Sequence, residues 1–136
     1  MWCSCRPILL FYNLFSALWR FDNPESEVAP LGTYYATGHA GISKQSSKSV
    51  YVTATTDCYE KCDEVEAEVN LQRLEGSTWA YVTSRDKIRK NVGSVTVSDT
   101  ISVKSGYYYR VVSFHSATKN GKTEVGSATS ESLYVG

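Results

Sequence analysis

The sequence lacks a long hydrophobic run and an excess of charge of either sign. Its apolar stretch at residues 8–19 is shorter than the roughly 20 residues that a membrane helix needs, so no stable membrane span is predicted. The 14 Lys and Arg residues balance the 14 Asp and Glu residues. The most basic segment, residues 85–90, reads as a solvated strand end. Because nucleic-acid binding depends on a patch of cations that releases counterions, we expect no nucleic-acid partner.

Catalytic signatures are also absent from the sequence. It contains neither the Gly-x-Ser-x-Gly nucleophile elbow of serine hydrolases nor the His-Glu-x-x-His pair of zinc proteases. It has one Met and three Pro but is rich in Tyr, Val, Thr and Ser, which favour strands over helices. We therefore predict a β-rich protein that is not an enzyme and needs no cofactor.

The first 31 residues differ in composition from the rest. Residues 1–20 contain an apolar core of the length found in secretory signals, about 7–15 residues, preceded by Arg6. No small-x-small cleavage site follows cleanly, so a misplaced start is the alternative. Residues 21–31 are acidic, contain Pro24 and Pro30, and read as a linker. We expect a hydrophobic leader at 1–20, a linker at 21–31, a folded domain at 32–136, and an extracellular or cell-surface location.

From residue 32 onward the hydrophobic period is two. It is clearest at 64–72, where Val65, Ala67, Val69 and Leu71 alternate with polar residues, as in a sheet with one buried face. In a helix these four residues would spread around the cylinder. Seven strands are predicted, at 34–42, 50–55, 64–72, 79–83, 92–97, 107–117 and 123–135. Asn120-Gly121 favours a tight hairpin turn between the last two. The prediction is an all-β, antiparallel two-sheet sandwich of about seven strands.

The run Ser105-Gly106-Tyr107-Tyr108-Tyr109-Arg110-Val111 resembles the opening of the sixth strand of fibronectin type III and immunoglobulin-like domains. The resemblance covers residues 32–135 and implies a sandwich fold. It also implies that Tyr109 is a tyrosine corner, whose hydroxyl bonds back to the loop at Val103 or Lys104.

A narrower resemblance rests on five elements: Val-Asn-Leu-Gln, Gly-x-x-Trp, Gly-Tyr-Tyr-Tyr-Arg-Val, His115 and Asn-Gly-Lys-Thr-Glu. Together they are similar to a group of small exported proteins of Gram-positive bacteria that carry only a domain of unknown function. This resemblance implies export and a sandwich fold, and it implies no activity.

Cys58 and Cys62 are separated by three residues. In an exported protein they are candidates for a local disulfide, although so short a spacing needs a tight turn. The alternatives are free thiols or half of a metal site. A metal site would need His39 and His115 as further ligands, and neither lies at a zinc-motif spacing. We predict the disulfide and no metal.

Three further groups have a functional and a structural interpretation. His115, in step with Tyr109 and Ser113, is a general base or a polar strand residue bonded to its neighbours. Trp79 and Tyr81 share one strand face, where they either stack on a sugar or protein partner or cap the core. The alternating glutamates at 64, 66 and 68 either keep a wet face soluble or, with other segments, hold calcium. The structural interpretation is preferred in each case.

These observations favour a non-catalytic, exported β-sandwich module that binds a protein or glycan at the cell surface, as a monomer. Trp79 and Tyr81 are its candidate ligand-binding residues. Two alternatives stay open: a small secreted toxin or bacteriocin-like protein, and a small hydrolase that uses His115.

Overall fold

The computed structural model describes residues 32–136 as an all-β domain, and the predicted leader and linker lie outside these residues. Within them the chain forms six strands. Their bounds are β1 Tyr35–Ser46, β2 Ser49–Glu75, β3 Thr78–Ser102, β4 Tyr107–Lys119, β5 Lys122–Thr129 and β6 Leu133–Val135. No helix in this part of the chain is long and apolar enough to cross a membrane.

All strand pairs are antiparallel and belong to one sheet. The order across it is β1-β2-β4-β5, with β3 paired to β2 and β6 paired to β4. Residues 49–57 of β2 lie between β1 and the second half of β3, whereas residues 64–73 lie between the first half of β3 and β4. The sheet therefore curls like a half-barrel and brings β1 against β4 and β5.

The all-β, antiparallel class is confirmed, but a sandwich of two separate sheets with seven strands is not. The predicted second and third strands are two halves of β2, and the fourth and fifth are two halves of β3. The predicted last strand is divided into β5 and β6. The sequence suggested a break in β2 because its buried residues change from even positions (Val50, Val52) to odd positions (Val65, Ala67).

A β-bulge accounts for this change. Asp57 lies opposite Ser94 and Cys62 lies opposite Val92, so residues 58–61 of β2 face Gly93 alone. Extra residues in one strand shift the alternation of the side chains without ending the strand. The bulge thus lets both halves of β2 face the same core, and a loop is not needed.

The core fills the inside of the curl. Val65, Ala67, Val69 and Leu71 are fully buried, as predicted, and pack with residues from the other half of β2, from β3 and from β4. Burying each Val or Leu side chain contributes about 1.5–3 kcal/mol. The β4–β5 hairpin turns at Asn120 and Gly121, which both have positive φ (53° and 77°), as the predicted turn requires.

Candidate functional site

The outer surface of the sheet carries a group of aromatic residues around one arginine. Gln72 of β2 lies opposite Tyr81 of β3 and Arg110 of β4. One step further along the same surface, Leu74 lies opposite Trp79. Residues directly opposite each other in an antiparallel pair point to the same side. We call the surface formed by Trp79, Tyr81, Tyr108, Arg110 and Tyr134 the aromatic face.

A second bulge determines which way Trp79 and Tyr81 point. Leu71 lies opposite Thr83 but Gln72 lies opposite Tyr81, so Val82 has no residue opposite it. Because of this extra residue, Tyr81 and Trp79 share the outer side with Gln72 instead of following Thr83 to the inner side. The structure thus places the two predicted ligand-binding residues together on the outside of the sheet, away from the core.

The rings of the aromatic face are open to solvent. Tyr81 is 64% exposed, and Tyr108 and Tyr134 are 48% and 52% exposed. Tyr108 and Tyr134 lie opposite each other, with ring centroids 5.2 Å apart. Single exposed aromatic residues are common, whereas large exposed apolar patches are typical of interaction surfaces, so the aromatic face is the candidate site.

Arg110 lies on this face in contact with Trp79 and Gln72. Its guanidinium carbon lies 4.3 Å from the centroid of the Trp79 ring, and its Nε donates a hydrogen bond to Oε1 of Gln72 at 2.8 Å. Burial lowers the pKa of Arg110 from its ordinary value. Of the ion pairs formed within residues 32–136, none involves Arg110. Sequence reasoning missed Arg110, although its place two residues after Tyr108 in a strand was a signal that it faces outward.

The opposite end of the same surface is acidic. Glu64, Glu66 and Glu68 lie on the outer side of β2, and Asp86 lies opposite Glu68. Burial and then the charges of Asp86, Glu68 and Glu64 raise the pKa of Glu66, against a hydrogen bond with Ser116 that lowers it. Among the described residues, no group of His, Cys, Asp or Glu is arranged to hold a metal ion.

His115 lies inside the curl, in a hydrogen-bonded chain. Thr56 Oγ1 donates to the Glu66 carbonyl at 2.7 Å, so it accepts from His115 Nδ1, also at 2.7 Å. The neutral ring then accepts at Nε2 from the Ser113 hydroxyl, 2.6 Å away. Tyr35 stacks on the ring of His115, with centroids 6.2 Å apart.

The His115 chain resembles a serine nucleophile with its base, but it is sealed. His115 is 2% exposed, and Ser113 and Thr56 are fully buried. Burial, and then the charge of His39, lower the pKa of His115 to about 4, while Asp57 acts in the opposite sense. A neutral, enclosed imidazole of this kind satisfies buried polar groups and orders the core.

The predicted disulfide is not present, because Cys58 and Cys62 are free thiols. The bulge at residues 58–61 brings the two thiols together, but Cys62 is buried as a thiol, with Sγ donating to the Glu60 carbonyl at 3.5 Å. Burial, followed by the hydrogen bond and charge of Cys62, raises the pKa of Cys58 to about 12. Cys58 is therefore a half-buried, unreactive thiol at neutral pH, and Cys62 packs as a small core residue.

The hydroxyl of Tyr109 lies against Lys104, one of the two residues named for it from the sequence. It donates to the Lys104 carbonyl at 2.8 Å and accepts from the Lys104 amide at 3.1 Å. The Tyr109 side chain is fully buried beside Val111 and Val135. This residue ties the loop after β3 to the start of β4 and has a structural role.

Sequence reasoning also missed Glu124 of β5. Its carboxylate accepts hydrogen bonds from the backbone amides of Thr33, Tyr34 and Tyr35, at 2.8–2.9 Å. Burial would raise the pKa of Glu124, but these three amides and Lys122 outweigh it and lower the pKa. The contact joins β5 to the start of β1, which are 89 or more residues apart. The sequence hints at this contact only through Gly32, because any larger residue at that position would collide with the Glu124 carboxylate.

Comparison with known proteins gives a family and no activity. No curated protein matches the chain, and no solved structure matches it. One protein-family model, described as a family of unknown function, matches residues 26–133, which include β1 to β5 and the whole aromatic face except Tyr134. This chain therefore belongs to the family of unknown function DUF6147.

Proposed function

We propose that this protein is a non-catalytic binding module that is exported and acts at the bacterial cell surface, with its ligand on the aromatic face. The observation that carries the proposal is the exposure of Tyr81, Tyr108 and Tyr134 around a fixed Arg110. Aromatic residues and arginine dominate binding energies. The aromatic residues offer large contact areas with few freely rotating bonds, and arginine offers a planar group with several hydrogen-bond donors.

The placement of the polar groups supports a non-catalytic role. His115, the general-base candidate, has the hydroxyl of Ser113 beside it, and both residues are closed off from solvent. The low pKa of His115 makes it a weak base at neutral pH. A substrate would have to open the strand packing around Tyr35 to reach either residue.

The bacterial origin, the export and the immunoglobulin-like fold belong to the same proposal. The family resemblance and the apolar core at residues 8–19 support export. The Tyr109–Lys104 contact supports kinship with sandwich domains that carry a tyrosine corner. N-terminal sequencing of protein recovered from the medium tests export: a mature start between residues 17 and 31 is expected, and an intact Met1 in a cytosolic fraction would contradict it.

The binding role is tested by retention on isolated cell envelopes of Gram-positive bacteria. Wild-type protein should sediment with the envelopes, and the double variant W79A/Y81A should stay in the supernatant. The matched control is Tyr51→Ala. It removes an exposed aromatic residue from the first half of β2, beside β1 and away from the aromatic face, and it should leave retention unchanged. Equal retention of wild type and W79A/Y81A, or no retention of wild type, would contradict the proposal.

A further inference from the structure

The aromatic face also indicates what kind of ligand it binds, provided that it is the binding surface proposed above. We propose that the ligand is a sugar with a single carboxylate, that Arg110 pairs with the carboxylate, and that the surrounding aromatic rings contact the sugar ring.

The first argument is that Arg110 is positioned for an acceptor that residues 32–136 do not supply. Arg73 pairs with Glu75 at 2.5 Å and Arg85 pairs with Asp99 at 2.7 Å, but Arg110 has no carboxylate partner among residues 32–136. Gln72 occupies Nε, and Trp79 holds the guanidinium plane, which leaves the two terminal nitrogens for another group. A planar guanidinium matches the two oxygens of a carboxylate. An ordered, partly desolvated cation without an internal partner fits an external anion.

The second argument concerns the groups around Arg110. Tyr81, Tyr108 and Tyr134 are 64%, 48% and 52% exposed, and each carries a hydroxyl at the edge of its ring. The side-chain oxygen of Gln72 accepts the hydrogen bond from Arg110, and the NH2 group of Gln72 can donate to a ligand. A pyranose ring is similarly divided, with C–H groups on its faces and hydroxyls around its edge. The ring faces and the amide therefore match a sugar better than a wholly apolar partner.

The third argument limits the charge of the ligand. The acidic residues Glu64, Glu66, Glu68 and Asp86 share the outer surface with Arg110. Glu68 lies four residues from Gln72 along β2, which corresponds to about 14 Å. That distance exceeds the screening length of about 8–10 Å at physiological salt, so the carboxylates have little effect on an anion bound at Arg110 itself. A second anion that extended along the sheet towards Glu68 would come within the screening length and would be repelled. A polyphosphate chain such as a nucleic acid therefore does not fit, and one carboxylate does.

The test is an NMR titration of 15N-labelled protein with four monosaccharides: glucuronate, galacturonate, and their neutral counterparts glucose and galactose. Both uronates should shift the Trp79 indole and Arg110 Nε signals, at concentrations about tenfold lower than the neutral sugars. Tenfold corresponds to about 1.4 kcal/mol, which is near the lower end of the range for a hydrogen bond to a charged group. A short oligothymidylate and acetate serve as anions without a sugar-acid unit.

Two variants separate the role of Arg110 from that of the fold. Arg110→Gln should bind uronates and neutral sugars equally weakly. Arg89→Gln, which changes an exposed arginine on β3, should behave like wild type. Arg110→Lys keeps the charge but loses the planar fork and should retain only part of the preference. If Arg110→Gln does not fold, the wild-type comparison of acidic with neutral sugars still decides the question.

The failure of this inference differs from the failure of the proposed function. Equal binding of acidic and neutral sugars would overturn the role of Arg110, while envelope retention would still support a binding module. Tighter binding of oligothymidylate than of the uronates, or equal binding of acetate, would show that charge alone is recognised and would overturn the sugar. If none of the sugars binds, the inference about the ligand is wrong. The proposed binding function is wrong only if the wild-type protein also fails to sediment with the envelopes.

Discussion

Thr56 Oγ1 lies 2.7 Å from Nδ1 of His115, and the two residues are 59 positions apart in the chain. The bond joins the first half of β2 to β4 across the inside of the curl. It exists because the Thr56 hydroxyl donates to the Glu66 carbonyl and therefore has a lone pair to accept from the ring. The neutral form of His115 is thus part of the folded core.

We expect stability to fall as the solution becomes mildly acidic. The pKa of His115 is lowered from 6.5 to about 4, so the unfolded chain takes up a proton before the folded chain does. The stabilisation is present above pH 6.5 and is lost as the pH falls through 4. Between pH 7 and 5 the free energy of unfolding should drop by about 2 kcal/mol. Urea denaturation at a series of pH values measures it.

The control for this pH dependence is His115→Gln, which cannot be protonated. The variant should be less stable at pH 7, and the contribution of His115 to the slope between pH 7 and 5 should vanish. His39 is unchanged in the variant, so the two proteins differ only at position 115. An unchanged slope in His115→Gln would show that His115 is not the group that titrates.

Gly126→Ala should destabilise the protein because Tyr35 occupies the space beside Gly126. A Cβ at this position would lie 2.5 Å from the Tyr35 ring, and Gly38 borders the same ring and His115. Overpacking of this kind costs about 1–3 kcal/mol. The matched control is Gly93→Ala, where the nearest atom is 3.7 Å away and no collision is expected. Thermal denaturation of both variants checks the prediction, which fails if the two melt at the same temperature.

Glu124→Gln should loosen the start of β1. The substitution removes the charge on which the amides of Thr33, Tyr34 and Tyr35 converge. Hydrogen bonds to a charged group contribute about 1.5–3 kcal/mol each, partly offset here by solvent exposure. Hydrogen exchange should accelerate at these three amides, and Glu131→Gln, an exposed change, should leave them protected. Because the pKa of Glu124 is lowered, its stabilisation is present above pH 4.5 and is lost as the pH falls further.

The thiol of Cys58 should react slowly with iodoacetamide. A pKa of about 12 instead of 9.0 reduces its thiolate fraction at pH 8 by about a thousandfold, and only the thiolate is the nucleophile. Mass spectrometry of the folded protein should show little alkylation at Cys58 under conditions that label it fully in urea. Rapid labelling of the folded protein would mean that the bulge at residues 58–61 opens readily.

Local patterns in the sequence were sufficient to predict the all-β class and several strand segments. The alternation at Val65–Leu71 identified a half-buried strand, because side chains of a strand point alternately to its two faces. Asn120-Gly121 identified a hairpin, since both residues tolerate positive φ. The resemblance at Ser105–Val111 implied that the Tyr109 hydroxyl bonds near Lys104, where the structure places it. Each of these signals lies within a few residues of the feature that it predicts.

The continuity of β2 and β3, and the side on which Trp79 and Tyr81 lie, depended on pairing between distant segments. The bulges opposite Gly93 and at Val82 are defined by register between strands, and a single chain segment carries no record of its partner's register. The same holds for Arg110 on Trp79, His115 with Thr56, and Glu124 with the start of β1. Alternation tells which residues share a face; only the folding of the whole sheet tells whether that face meets the core or the solvent.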